Sequence, residues 1–305
     1  MTIKQPLLIA GIFCISITAN AQAVKYKDIV FGGVKATKDL SYDGSDSTGK
    51  NKAHLFDLYQ PEGDETTGRP LIIWVHGGGF KFGSKADKSA EIWSKTFAQR
   101  GYVCVSINYT LSKKLPFLNF GELKRSCYYA VLDAKRAVGY FKQHAAEYHI
   151  NPDKIILAGN SAGGMIALQA AFATNAELAK FAGVPEADAG KNELLKVDGV
   201  INLWGGIFKL NWLKNAGVPV VNIYGSNDGI VAPAHKDTSL YGGKDVYEKA
   251  KALSIPTDVK VFEGYSHELR KHFNPIFASD KATQQRWLEA GQFAADFMYN
   301  NLFKL

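Results

Sequence analysis

Lys154-Ile155-Ile156-Leu157-Ala158-Gly159-Asn160-Ser161-Ala162-Gly163-Gly164-Met165-Ile166-Ala167-Leu168 is the stretch whose reading decides the fold. Its first five residues form a short apolar run of the kind that fills a parallel sheet. From Met165 onward the composition turns to helix formers. Glycines on both sides of Ser161 remove the side chains that would clash in a tight strand-to-helix turn. A hydroxyl thrust into the open by such a turn is a candidate nucleophile, and the pentapeptide reads as a nucleophile elbow. Alone it is a weak signal in a chain with 29 glycines among 305 residues, and a serine capping a helix is the plain alternative. The elbow reading therefore requires an oxyanion donor, a base and an acid elsewhere in the chain.

The donor lies upstream. Pro70-Leu71-Ile72-Ile73-Trp74-Val75 is a continuous apolar strand that runs into His76-Gly77-Gly78-Gly79-Phe80. Three consecutive glycines let the backbone approach a ligand closely and turn several peptide N–H groups into one small space. A phosphate-cradling loop would instead need Gly-Lys-Ser/Thr or a Gly-x-Gly-x-x-Gly spacing, and neither follows. Strand and glycine loop corroborate the elbow.

Taken together, His76-Gly-Gly-Gly-Phe80 and Gly159-Asn-Ser-Ala-Gly-Gly164 resemble the α/β-hydrolase superfamily. The sequence looks most like bacterial carboxylesterases related to hormone-sensitive lipase and to feruloyl and acetylxylan esterases. Phe56-Asp57-Leu58-Tyr59-Gln60-Pro61, Asp133-Ala134-Lys135-Arg136-Ala137-Val138 and Asn151-Pro152-Asp153-Lys154-Ile155 extend the likeness from about residue 50 to the C-terminus. Asn160 stands where many of these relatives carry an acidic residue. The resemblance implies a single α/β domain with a mostly parallel central sheet, helices on both faces and little or no cap.

It also implies an order of parts: serine, then an acid after a later strand, then a histidine near the end. Asp228 fits the acid, in a Gly-x-x-Asp-x-x-Val-x-Pro pattern after Val218–Tyr224, with Asp198 and Asp237 as rivals. Asn227-Asp228-Gly229 is also strong turn chemistry, which is compatible with the role. Among seven histidines, His267 follows the last strand pattern, Asp258–Phe262, and His272 is the runner-up. His76 belongs to the glycine loop, where bracing is its expected job. His54, His144, His149 and His235 fall outside the expected order. By the resemblance, Gly78, Gly79 and Ala162 supply the oxyanion N–H groups. Phe80, Phe82 and Tyr109 are candidate pocket walls, as are the aromatics of Leu111–Gly121. The implied chemistry is ester hydrolysis through an acyl-enzyme, which requires no metal or organic cofactor; a serine peptidase on the same triad and a non-catalytic binding protein of this fold are the alternatives.

The remaining features bound the setting. Met1 to about Ala21 reads as a cleaved secretory signal, with Lys4, an apolar Leu7–Ile17 and a small-x-small Ala19-Asn20-Ala21, leaving 22–305 as the catalytic domain. Phe13 before Cys14 is bulky where lipid attachment wants a small residue. Export to the periplasm or beyond is the expectation, without a stable membrane anchor, since no later run of about 18 apolar residues occurs. The net charge of +7 is spread along the chain, and no basic tract or recognition motif points to nucleic acid. The expected partner is a small-molecule or polysaccharide-linked ester. Cys104 in a buried strand and Cys127 at a helix start read as free thiols rather than a bridge. Opening antiparallel strands are expected at Lys25–Ala36 and Lys52–Gln60, then alternating strands and helices to a final helix over Gln284–Met298.

Overall fold

The computed structural model describes residues 23–43, 52–185, 194–235, 240–274 and 278–304. The proposed signal, most of the polar loop after Ser41, and Asp237 lie outside the described residues. Among the described residues eight strands form one sheet in the order β1-β2-β4-β3-β5-β6-β7-β8. They are β1 (Val34–Ser41), β2 (Leu55–Pro61), β3 (Arg69–Val75), β4 (Val103–Ile107), β5 (Ile150–Asn160), β6 (Gly199–Leu203), β7 (Val220–Gly225) and β8 (Thr257–Phe262). Only the β1–β2 and β2–β4 pairs are antiparallel; β4, β3 and every strand beyond run parallel.

The apolar runs are continuous because each central strand is buried on both faces. Leu71, Ile73 and Val75 of β3 enter one core with Ile155 and Leu157 of β5. Ile72 and Trp74, with Ile156 and Ala158, enter the other. The first core is covered by α2 (Phe120–Gln143), α3 (Ala162–Phe172), α4 (Asn175–Ala182) and α5 (Gly243–Ala252). The second is covered by α1 (Lys88–Ala98) and α6 (Lys281–Leu302), where Trp74 stacks on Trp93 with ring centroids 5.1 Å apart. Every residue of α3 is buried, so this helix has no polar face to mark a period.

One expected strand needs correction, and the expected free thiols are borne out. Lys25–Gly33 is not a strand. Its backbone turns under the sheet, with Tyr26 N–H donating to Arg100 O and Val30 N–H to Gln99 O. The segment from Asn175 begins with α4, which is capped by a Thr174–Glu177 capping box and a left-handed Gly183. Helix α5 has no counterpart among the expected elements. Cys104 and Cys127 are both free and buried. They lie in different cores on opposite faces of the sheet, which rules out a bridge between them. Burial pushes both thiols up, that of Cys127 to about 12. Among the described residues no helix is long and apolar enough to cross a membrane.

Candidate active site

The site grows from the turn between β5 and α3. Ser161 has φ 53° and ψ −119°, a left-handed backbone that a non-glycine residue adopts only when its surroundings enforce it. The enforcement is visible. Ser161 N–H donates to Leu203 O of β6 at 2.9 Å. A Cβ on Gly163 would stand 1.9 Å from Val75 O, so only glycine lets α3 pack this close to β3.

Three chain segments converge on the serine. Its Oγ is 2.9 Å from Nε2 of His267, which sits in the 3₁₀ turn His267–Leu269 after β8. Nδ1 of the same ring is 2.7 Å from Asp228 Oδ2, on the loop after β7. Asp228 Oδ1 accepts from Ile230 N–H and Val231 N–H at 2.9 and 3.0 Å, so the carboxylate is held at both oxygens. With Asp228 ionised, the imidazole proton rests on Nδ1 and the Nε2 lone pair faces the serine hydroxyl. Both partners of Ser161 are buried.

The glycine loop lies on the other side of Ser161. Gly78 has φ 101°, and a Cβ there would stand 2.2 Å from Phe82 O. Gly79 also takes a left-handed φ, 60°. Gly78 O accepts from Lys81 and Phe82, whereas the N–H groups of Gly78 and Gly79 donate to no backbone acceptor among the described residues. Ala162 opens α3, so its N–H is one of the orphan donors of a helix start. His76 braces the loop: its Nδ1 donates to Gly77 O at 2.7 Å and its ring stacks on Tyr109 at 4.3 Å. Complete burial pulls its pKa down to about 4 and keeps the ring neutral.

Other sequence candidates fall elsewhere. Asp198 Oδ2 accepts from Ile155 N–H at 2.9 Å, beside the start of β6 and at the opposite end of the sheet from Ser161. His272 is exposed, and His235, also exposed, stacks on Tyr241. Two of the three named wall candidates do not form a wall. Phe80 is fully buried in the core, and Tyr109 is buried with its hydroxyl donating to His76 O and Gly77 O. Phe82 is 59% exposed. Continuous packing of β3 and β4 against α2 draws Phe80 and Tyr109 inward.

Sequence reading also left Asp57 and Asp133 without a role. Asp57 of β2 binds the Lys85 ammonium, and Lys85 N–H donates to Asn108 Oδ1 at 2.7 Å. Asp133 of α2 accepts from Thr110 N–H at 2.9 Å. The signal was the Phe56-Asp57-Leu58 and Asp133-Ala134-Lys135 motifs themselves: a carboxylate inside an apolar pattern needs a partner.

Comparison with known proteins agrees with this architecture. A family described as BD-FAE matches residues 56–222, more than half of the chain, and the chain belongs to that family. A Mycobacterium tuberculosis protein named "Probable carboxylic ester hydrolase LipM" is 31% identical over 140 residues, which is 45% of this chain and 30% of the relative. An acetyl esterase of Salmonella schwarzengrund is 32% identical over 115 residues, 38% of this chain and 31% of the relative. The chain thus matches under a third of the length of these curated relatives. Esterase 2 of Thermogutta terrifontis in its apo form superposes with a TM-score of 0.59 at 19% identity, over 90% of this chain and 97% of that one. That likeness shows the α/β-hydrolase fold.

Proposed function

We propose that this member of the BD-FAE family is a serine carboxylic-ester hydrolase that acts on short-acyl or polysaccharide-linked esters, acetyl and feruloyl groups among them. The observation that carries the proposal is the unbroken relay from Asp228 through His267 to the Ser161 hydroxyl, at 2.7 and 2.9 Å. Nε2 of His267 takes the Ser161 proton as Oγ attacks the ester carbonyl. The oxyanion develops toward the N–H groups of Gly78, Gly79 and Ala162, which a glycine-lined loop and a helix start leave available. Nε2 then returns the proton to the leaving alcohol, and the acyl-enzyme forms. Water, activated by the same nitrogen, releases the acid and restores the serine.

The acetyl esterase relative supports a short acyl group, and the expected export supports a polysaccharide-linked substrate. Cleavage after about Ala21 is part of this proposal and is checked by N-terminal sequencing of exported protein. The decisive experiment is Ser161→Ala, which leaves thermal unfolding unchanged and lowers hydrolysis of an aryl acetate by about 10⁴-fold or more. A correctly folded variant with a tenth of the activity would overturn the assignment.

A further inference from the structure

With Phe80 and Tyr109 drawn into the core, the glycine loop is bordered instead by a residue of the following connection. Phe117 lies in the 3₁₀ turn Pro116–Leu118, and its Cδ1 stands 3.5 Å from where a Cβ on Gly79 would be. The ring is 55% exposed, so one part packs on the glycine and the rest is free. Its segment is strapped to the oxyanion loop rather than loosely apposed. Lys81 Nζ donates to Ser112 O at 3.1 Å and to Lys113 O at 2.9 Å, and Ser112 N–H donates to Phe80 O at 2.8 Å. The turn closes through Leu118 N–H to Leu115 O, and Asn119 caps α2 directly after it. Phe117 is therefore carried on the same rigid piece as Gly78 and Gly79.

Sheet order decides which part of an ester this ring meets. Strand β3, which bears the glycine loop, lies on one side of β5; β6, β7 and β8, which lead to Asp228 and His267, lie on the other. The leaving alcohol must lie toward His267, because Nε2 gives it a proton. The carbonyl oxygen takes the N–H groups of the glycine loop, so the acyl substituent of the tetrahedral carbon takes the remaining direction, along the rim of that loop and away from His267.

From this we infer that Phe117 is the residue that sets acyl-chain length, by closing the acyl side of the site beside Gly79. The inference rests on the serine-hydrolase reading above. A ring at that position leaves room for an acetyl group and collides with a longer chain, which must bend around it or displace it.

The test compares kcat/KM for aryl acetate and aryl hexanoate in wild type, Phe117→Ala and Phe117→Trp. Phe117 is half exposed, so both variants are expected to fold, and circular dichroism verifies this. Removing the ring should raise the hexanoate-to-acetate ratio at least about tenfold, and the larger indole should lower it, since one misfitting methylene is worth about 10-fold or more. Ratios within about twofold of wild type in both variants would overturn the inference. So would a response confined to acetates of varied alcohols, which would put Phe117 on the leaving-group side. Labelling of Ser161 by a fluorophosphonate separates the two levels: a labelled serine with unchanged ratios defeats only the role of Phe117. An unlabelled, inactive wild type defeats the hydrolase reading and this inference together.

Discussion

The two loops that flank Ser161 are anchored by different forces. The glycine loop has little of its own to pack, because Gly77, Gly78 and Gly79 have no side chains, so beyond the buried His76 and Phe80 at its ends it is tethered by charge. Lys85 is buried against Asp57 and also reaches Asp39 at 2.7 Å, while Lys38 closes the network on Asp57 at 2.8 Å. The neighbouring Thr110 is fixed by Asp133, which pairs with Arg136 at 2.6 Å and His54 at 3.0 Å. The histidine loop can pack. Leu269 is wholly buried, Trp287 Nε1 donates to Glu268 O at 2.9 Å, and Arg286 Nε donates to Leu269 O at 2.7 Å. Helix α6 thus holds the base through neutral carbonyls, and the sheet edge holds the oxyanion donors through ion pairs. A loop that must expose backbone to substrate gives up its own packing and borrows rigidity from charged neighbours.

The largest expected effect lies at the end of the packed half. Asp228→Asn retains an oxygen for Ile230 and Val231 but favours the wrong imidazole tautomer, and kcat should fall about 10⁴-fold with the fold intact. Stopped-assay turnover beside a thermal melt checks this. If Asp198→Asn were crippling and Asp228→Asn mild, the relay would be placed on the wrong strand.

The charge-held half should answer in stability. Asp57→Ala leaves the buried Lys85 ammonium with only the exposed Asp39 as partner among the described residues, which costs about 3–5 kcal/mol in urea unfolding. Asp57→Leu combined with Lys85→Met removes both charges and should recover part of that loss. A double variant no better than the single would show that the charges do not hold this loop. On the packed side, Trp287→Phe keeps a six-membered ring but removes the pyrrole part of the indole and its donor to a carbonyl, for about 1–4 kcal/mol. Its effect should be indifferent to salt, and its readout is a lower kcat at unchanged KM.

The contrast also explains what was legible in the sequence. Strands β3 and β5 announce themselves because burial on both faces requires unbroken apolar runs. Ser161, Asp228 and His267 are legible because each sits on a turn whose glycines or order along the chain are constrained. Helix α5 was not, since only Gly243, Val246 and Ala250 are buried and its charged face reads as a loop. Helix α4 carried its signal in the Thr174–Glu177 box, obscured by its brevity. The pocket walls were legible only in part: Leu111–Gly121 holds Phe117, whereas Phe80 and Tyr109 turn inward. An aromatic residue after a glycine loop reads the same whether it turns inward, like Phe80, or borders the loop from a distant turn, like Phe117. That choice depends on packing between α2 and the sheet, which no local pattern encodes.

The smallest effect expected is a pH dependence confined to the charge-held half. His54 lies between Asp133 and Asp43, with Arg136 and the Tyr42 ring also facing it. Hydrogen bonding to Asp133 raises its pKa above the ordinary 6.5, against burial and with help from Asp43. Burial pushes Asp133 up, but hydrogen bonds from His54 and Thr110 outweigh it and bring the carboxyl below its ordinary 3.8. A raised histidine contributes stability fully below its unfolded pKa and loses it as pH rises through the folded value. A lowered carboxylate loses its contribution as pH falls through its own folded value, so the clamp operates between the two. His54→Gln should therefore melt below wild type by on the order of 2 °C near pH 6, with the gap narrowing toward pH 9. His76, kept neutral by burial, is common to both proteins and cancels in the difference. A gap that widens with pH, or stays flat, would mean that His54 braces Thr110 by shape alone and that the two halves differ less than their contacts suggest.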